Sequence, residues 1–150
     1  MASWADIERD APELAERVRQ RFDAGTNKTI ATLRRDGAPR ISGSELGFVD
    51  GEVVLGMMPG SMKLLDVRRD PRIAVHSPTV EPPDDGAWPG DAKLAGTVVE
   101  TDPPSRGGPP GAHFKVDITE VVLTYVGTPA DHLVVESWHP DRGLVRQTRH

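Results

Sequence analysis

The sequence predicts a mostly β protein: six or seven antiparallel strands led by one helix, most simply a closed or nearly closed barrel. Three observations carry this. Apolar residues recur at spacings of three and four from Trp4 to Phe22, and from Thr29 onward the period changes to two. Two Asp-Gly pairs, Asp36-Gly37 and Asp50-Gly51, stand between β-branched runs, where tight hairpin turns need residues tolerant of positive φ. A long alternating run from His113 to Val126 places Phe114, Val116, Ile118, Val121, Leu123 and Tyr125 at strand positions.

The elements follow in order. Ser3 with Asp6 three residues on reads as a capping box, and Trp4, Ile7, Ala11, Leu14, Val18 and Phe22 form one helical face, with Gly25 as the stop. That stripe is core packing. Thr29 to Leu33, about Pro39 to Phe48, and Glu52 to Met58 read as three strands joined by the Asp-Gly turns. Pro59-Gly60 turns the chain into a short helix from about Ser61 to Arg69, and Arg72 to Ser77 is a fourth strand. A loop-like stretch at 78–91 precedes a strand from Ala92 to Thr101, where Gly96 signals a bulge or a close backbone approach. A Pro- and Gly-rich loop from Asp102 to Gly111, the long strand, and a last strand from His132 to Trp138 complete the barrel. Residues 1–150 are thus expected to form one domain: a leading helix at 1–27, a barrel at 28–138 and a polar tail at 139–150.

Composition narrows the function. The 12 Lys/Arg and 12 Asp/Glu of residues 1–77 cancel, while 6 against 11 in residues 78–150 supply the whole net charge of −5. A nucleic-acid binder would be basic with a clustered patch, so any bound anion should be small and held by local groups. No run of 18 apolar residues is present to cross a membrane, and the start Met1-Ala2-Ser3-Trp4 lacks the basic, then apolar, pattern of a signal peptide. With 0 cysteines there is no disulfide, thiolate metal site or Cys nucleophile, and a cytoplasmic location is expected. The 5 histidines are scattered without metal-ligand spacing, so no metal is expected. Gly43-Ser44-Glu45-Leu46-Gly47 lies inside a predicted strand and lacks the strand-to-helix crossover of a nucleophile elbow. No G-x-G-x-x-G or P-loop pattern occurs.

Two segments remain that suit a ligand. Pro59-Gly60-Ser61-Met62-Lys63 presents a hydroxyl and an ammonium at a helix start, where backbone N–H groups are unpaired; this suits a phosphate, or is an ordinary helix cap. In the second strand, alternation puts Gly43 and Glu45 on one face and Ser42 and Ser44 on the other, which is poor core material. Such a strand either faces solvent or leaves a flat surface for a planar ring.

The order of hairpin, Pro-Gly-Ser-x-Lys, short helix, Arg69-Asp70-Pro71-Arg72 and apolar strand resembles the pyridoxamine 5′-phosphate oxidase-like flavin-binding split barrels. Arg34-Arg35-Asp36-Gly37-Ala38-Pro39 and Lys93-Leu94-Ala95-Gly96-Thr97-Val98 are similar to that family's first hairpin and later Gly-containing strand, so the likeness spans roughly residues 28–100. The resemblance implies a homodimer with FMN, or the deazaflavin F420, in clefts at the subunit interface. It also implies an oxidoreductase moving hydride to or from a small organic substrate, or a non-catalytic carrier or sensor of flavin or haem. The phosphate would meet Ser61, Met62 and Lys63, and the ring would lie along Ser42, Gly43, Ser44, Glu45, Gly56 and Met57. The oxidases have arginine where this chain has Ser42 and Met62, and Arg40, Arg68 or Arg72 are the candidates to compensate. The segment from Glu136 to Gly143 does not reproduce the oxidases' Arg-rich pyridoxal-phosphate clamp; Trp138 and Arg142 would border the cofactor from the partner subunit, or Trp138 would anchor the last strand in the core.

Overall fold

The computed structural model of the chain describes residues 1–85, 88–103, 108 and 110–150; parts of the loops expected at 78–91 and 102–111 lie outside the described residues. The leading segment is two helices, not one: α1 (Trp4–Asp10) and α2 (Pro12–Phe22). Ser3 and Asp6 form the reciprocal capping box, worth about 1 kcal/mol. Pro12 explains the break. Its ring restricts the residue before it, and Ala11 takes φ −145°, ψ 69°, so Pro12 starts a fresh helix at the position where a missing N–H is harmless. The apolar stripe nevertheless runs on across the break, and Trp4, Ile7, Ala11, Leu14, Val18 and Phe22 are all buried.

Nine strands follow among the described residues: β1 (Lys28–Leu33), β2 (Pro39–Ser44), β3 (Leu46–Val49), β4 (Glu52–Met57), β5 (Arg72–His76), β6 (Asp91–Thr101), β7 (Ala112–Val126), β8 (Leu133–His139) and β9 (Gly143–Arg149). Helix α3 (Met62–Arg69) lies between β4 and β5. All pairings are antiparallel, in the order β2-β1-β5-β6-β7-β4-β3, with β8 on β7 and β9 on β8. The sheet does not close. β7 is the spine of the split: β6 covers one of its edges, while the other is shared between β4 at residues 112–115 and β8 at residues 121–126.

The strand count exceeds the expected seven for two physical reasons. The expected second strand is cut at Glu45, because β2 pairs β1 whereas β3 pairs β4, and the chain must change partners between them. The expected polar tail at 139–150 is in fact a strand: Gly143, at φ 70°, turns the chain back, and β9 pairs β8 from His139↔Gly143 to Leu133↔Arg149. Elsewhere the local signals hold. Asp50 and Gly51, at φ 50° and 76°, make the turn between β3 and β4 that only such residues adopt without strain. Gly96 marks both a bulge and a close approach. The β6/β7 register shifts between Ala95 and Gly96, leaving Thr119 as the extra residue, and a Cβ on Gly96 would lie 2.2 Å from the Asp117 carbonyl oxygen. The extra residue switches the buried parity of β7 from Phe114, Val116 and Ile118 to Val121 and Leu123.

The core gathers, with Leu64 and Val67 of α3, the apolar faces of the two leading helices and of the strands. Phe48 joins them: its ring stands edge-on to Trp4 at 4.7 Å and to Phe22 at 6.2 Å. Trp138 is 1% exposed and belongs to this core, so it anchors β8 and does not border a ligand.

Candidate functional site

A cleft of about 490 Å³ opens where the break at Glu45, the end of β4, the start of β7 and the first turn of α3 meet. Gly43, Ser44, Glu45, Gly56, Met57 and Lys63, all singled out in the sequence, line it. Ser42 and Ser61 are not among its lining residues, and Met62 instead lines a groove on another side of α3. Pro59, the first residue of the Pro-Gly-Ser-x-Lys segment, lines it too, whereas reading the sequence alone missed Asn27 and Met58, together with Pro110, Gly111, Ala112 and His113, which wall the cleft from the β7 side. Only His113, a polar residue opening an otherwise alternating apolar run, gave a signal there.

Part of the wall is bare main chain. Met57 is 3% exposed, so its side chain packs in the core and only its main chain can face the cleft. Gly43 and Gly56 carry no side chain to fill the space. A Cβ on Gly56 would stand 4.0 Å from both the Ala112 carbonyl oxygen and His113 Nδ1. At Gly111 a Cβ would lie 2.5 Å from the Met57 carbonyl oxygen, which fixes how closely β4 and the entry to β7 approach. The missing side chains at Gly43 and Gly56 leave room for a planar ring, so the residues present fit a flavin-type group.

Two polar side chains that line the cleft, Lys63 and Ser44, and one beside it, Ser61, are fixed by hydrogen bonds. Lys63 Nζ donates to the Gly43 carbonyl oxygen at 2.7 Å, tying the first turn of α3 to the end of β2, and its ammonium retains two further donors. Ser61 is the N-cap of α3: its hydroxyl accepts from the Leu64 N–H at 3.3 Å and keeps its own proton to donate. Gly60, at φ 74°, makes the turn that sets Ser61 in place. Ser44 Oγ donates to the Glu45 carbonyl oxygen at 3.1 Å.

The three arginines considered as substitutes for the missing phosphate ligands are all ion-paired. Arg40 Nε lies 2.8 Å from Asp66 Oδ2, Arg68 holds Glu100 at 2.9 Å, and Arg72 holds Asp70 at 2.7 Å. Hydrogen bonds from the Arg72 side chain and backbone hold the Asp70 carboxyl down at about 2. None of the three lines the cleft. Among the described residues no group of three or more His, Asp or Glu could hold a metal ion.

The fold is that of the pyridoxamine 5′-phosphate oxidase-like split barrels. A pyridoxamine 5′-phosphate oxidase-related, FMN-binding protein from Nostoc punctiforme superposes with a TM-score of 0.65 at 10% identity, covering 100% of this chain and 98% of that one. PhzG from Burkholderia lata, solved with tetrahydrophenazine-1-carboxylic acid, superposes at 0.64 with 9% identity over 91% and 88% of the two chains. A haem-binding protein from Mycobacterium smegmatis gives 0.52 at 16% identity over 91% and 87%. No family profile and no curated protein sequence matches the chain. No helix among the described residues is long and apolar enough to cross a membrane.

Proposed function

We propose that this protein binds FMN, or the deazaflavin F420, in the cleft beside Lys63 and acts as an oxidoreductase on a small organic substrate. The observation that carries this reading is the pair of side-chain-free walls at Gly43 and Gly56 facing a lysine at a helix start. A bound flavin or deazaflavin supplies hydride transfer itself, and the protein's part is to bind and orient it. Lys63, with two donors unspent, meets an anionic end, and the Ser61 hydroxyl can add a further donor. The glycine walls admit the ring, and their main-chain groups can hydrogen-bond its edge. No acid–base residue is then obligatory. The same reading has a second copy of the chain cover the cleft in a homodimer.

Titrating the purified protein with FMN and with F420, followed by absorbance and fluorescence, tests the reading. Micromolar binding of one of them is expected, and no binding of either would overturn it. Lys63→Ala should weaken that binding by about 1–3 kcal/mol, roughly fivefold to 150-fold, as loss of a charge-assisted bond does. Unchanged affinity would remove Lys63 from the site.

One observation favours a second reading, a haem carrier or sensor. The half-buried His113 imidazole lines the cleft, and imidazole is a common axial ligand to haem iron. A haem titration showing a Soret band that His113→Ala abolishes would favour this reading over the first.

A further inference from the structure

We infer that His113 is a catalytic residue of the cleft: it gives a proton to a conjugated carbonyl substrate as that substrate accepts a hydride. This role rests on the flavin or deazaflavin reading of the cleft and names a substrate class for it. Hydride transfer itself asks no acid of the protein, but it leaves negative charge on the acceptor's oxygen. A positioned proton donor there speeds such a step by about a hundredfold or more.

Hydrogen bonding sets His113 apart from the other histidines of the chain. His76 Nδ1 lies 2.6 Å from the Ser77 carbonyl oxygen, His132 Nδ1 lies 2.7 Å from Asp131, and His139 Nε2 lies 2.9 Å from Glu120. Each of those rings is held by a neighbour. His150 is exposed and stacks beside His132, with ring centroids 5.4 Å apart. His113 is half-buried, makes no hydrogen bond or ion pair among the described residues, and alone of the five lines the cleft. A polar ring partly withdrawn from water and left without a protein partner is free to take one from a ligand. With neither nitrogen pinned, one can release a proton while the other regains one.

Its place in the cleft fits that use. His113 pairs Gly56 across β7 and β4, and a Cβ on Gly56 would stand 4.0 Å from His113 Nδ1. The nitrogen therefore borders the room left by the missing side chain. The other ionisable groups lining the cleft serve less well. Glu45, as a carboxylate, only accepts, and Lys63 is tied to the Gly43 carbonyl oxygen. An imidazolium also gives up its proton far more readily than an ammonium does. Met58, Pro59, Pro110 and Ala112 make much of the remaining wall apolar, which suits an uncharged organic acceptor. Such an acceptor gains two electrons and one hydrogen as hydride from the reduced cofactor, which is thereby oxidised. An N–H bond of His113 breaks toward the acceptor's oxygen, an O–H bond forms, and the imidazole recovers its proton from water.

Stopped-flow reoxidation of the reduced holoprotein, loaded with FMN or F420, by menadione and by methylene blue tests this role. Menadione takes a hydride and a proton, whereas methylene blue is a cation that hydride alone neutralises. His113→Asn keeps an amide donor near the place of Nδ1 but cannot give up its proton, and should slow menadione at least about a hundredfold. The same variant should slow methylene blue no more than about threefold. A readout without turnover is calorimetric binding of 4-nitrophenolate, a stand-in for the charged oxygen, which His113→Phe should weaken at least about tenfold. The assignment is overturned by a smaller fall with menadione, by an equal fall with methylene blue, or by a parent that methylene blue reoxidises and menadione does not. It is also overturned if His113→Phe binds 4-nitrophenolate like the parent. Failure of both cofactors to bind overturns the cofactor reading itself, whereas cofactor binding with an unaffected menadione rate overturns the role of His113 alone.

Discussion

Replacing Asp66 with Ala is expected to destabilise the protein by about 3 kcal/mol or more, the usual cost of breaking a buried ion pair from one side. The Asp66 side chain is 2% exposed and accepts from the Thr32 hydroxyl at 2.8 Å, Arg40 Nε at 2.8 Å and Arg69 at 3.0 Å. Three elements, β1, β2 and α3, meet on this one carboxylate. Its loss leaves the buried Thr32 hydroxyl and the largely buried Arg40 guanidinium with no acceptor, and for a chain of this length the melting temperature should fall by roughly 6–12 °C. The effect should depend on pH in a defined sense. Burial pushes the Asp66 carboxyl up, but the hydrogen bonds from Arg40, Thr32 and Arg69 outweigh it and hold the group below its ordinary 3.8. A carboxyl lowered in the folded state contributes fully above its unfolded value and loses that contribution as pH falls through the folded one. The stability gap between the parent and Asp66→Asn should therefore be largest at neutral pH and shrink below about 3.8. Denaturant titrations at a series of pH values measure it, and a gap constant across that range would show that the network does not stabilise the charged form.

What could be read from the sequence was what local chemistry decides. The Ser3/Asp6 box, the two Asp-Gly turns, the Ser61 cap and the irregularity at Gly96 each concern residues close in sequence, and each appears in the structure where its chemistry puts it. The misses depend on partners distant in sequence. Alternation runs straight through Glu45, because nothing local says that β2 will pair β1 while β3 pairs β4. β9 lacks an alternating apolar pattern because it packs no face against the core: all but Gly143 of its residues are exposed, so only its pairing with β8 makes it a strand. Pro12 was a legible signal overridden by the apolar stripe, which continues in register on both sides of Ala11. The cleft divides in the same way. Its β2, β4 and α3 residues stand within 21 positions of one another and could be read together, whereas Gly111, Ala112 and His113 reach it only through the β4/β7 pairing. The arginine pairs at Asp66, Glu100 and Asp70 were likewise invisible, since they answer a question of distance.

Gly56→Leu is expected to abolish ligand binding in the cleft, with at least about a hundredfold loss of FMN affinity, and to leave the fold intact. Gly56 pairs His113 across β4 and β7, and its φ lies outside the left-handed region, so a side chain meets no backbone strain. A Cβ there makes ordinary contacts at 4.0 Å with the Ala112 carbonyl oxygen and His113 Nδ1, both on the cleft wall. The remaining leucine carbons must then occupy room that a ring would need. Thermal melting separates this from misfolding: a variant with parental stability and no flavin binding confirms the steric argument, and parental affinity would place the ligand elsewhere. Comparison with Lys63→Ala asks a finer question. A ligand held mainly by its anionic end would lose most of its affinity with Lys63 and tolerate a leucine at Gly56. A ligand held mainly by its ring against bare main chain would show the reverse. Because the cleft offers a single lysine but glycines on two facing strands, the larger loss is expected at Gly56, and the ratio of the two effects measures how far shape, over charge, selects what this barrel binds.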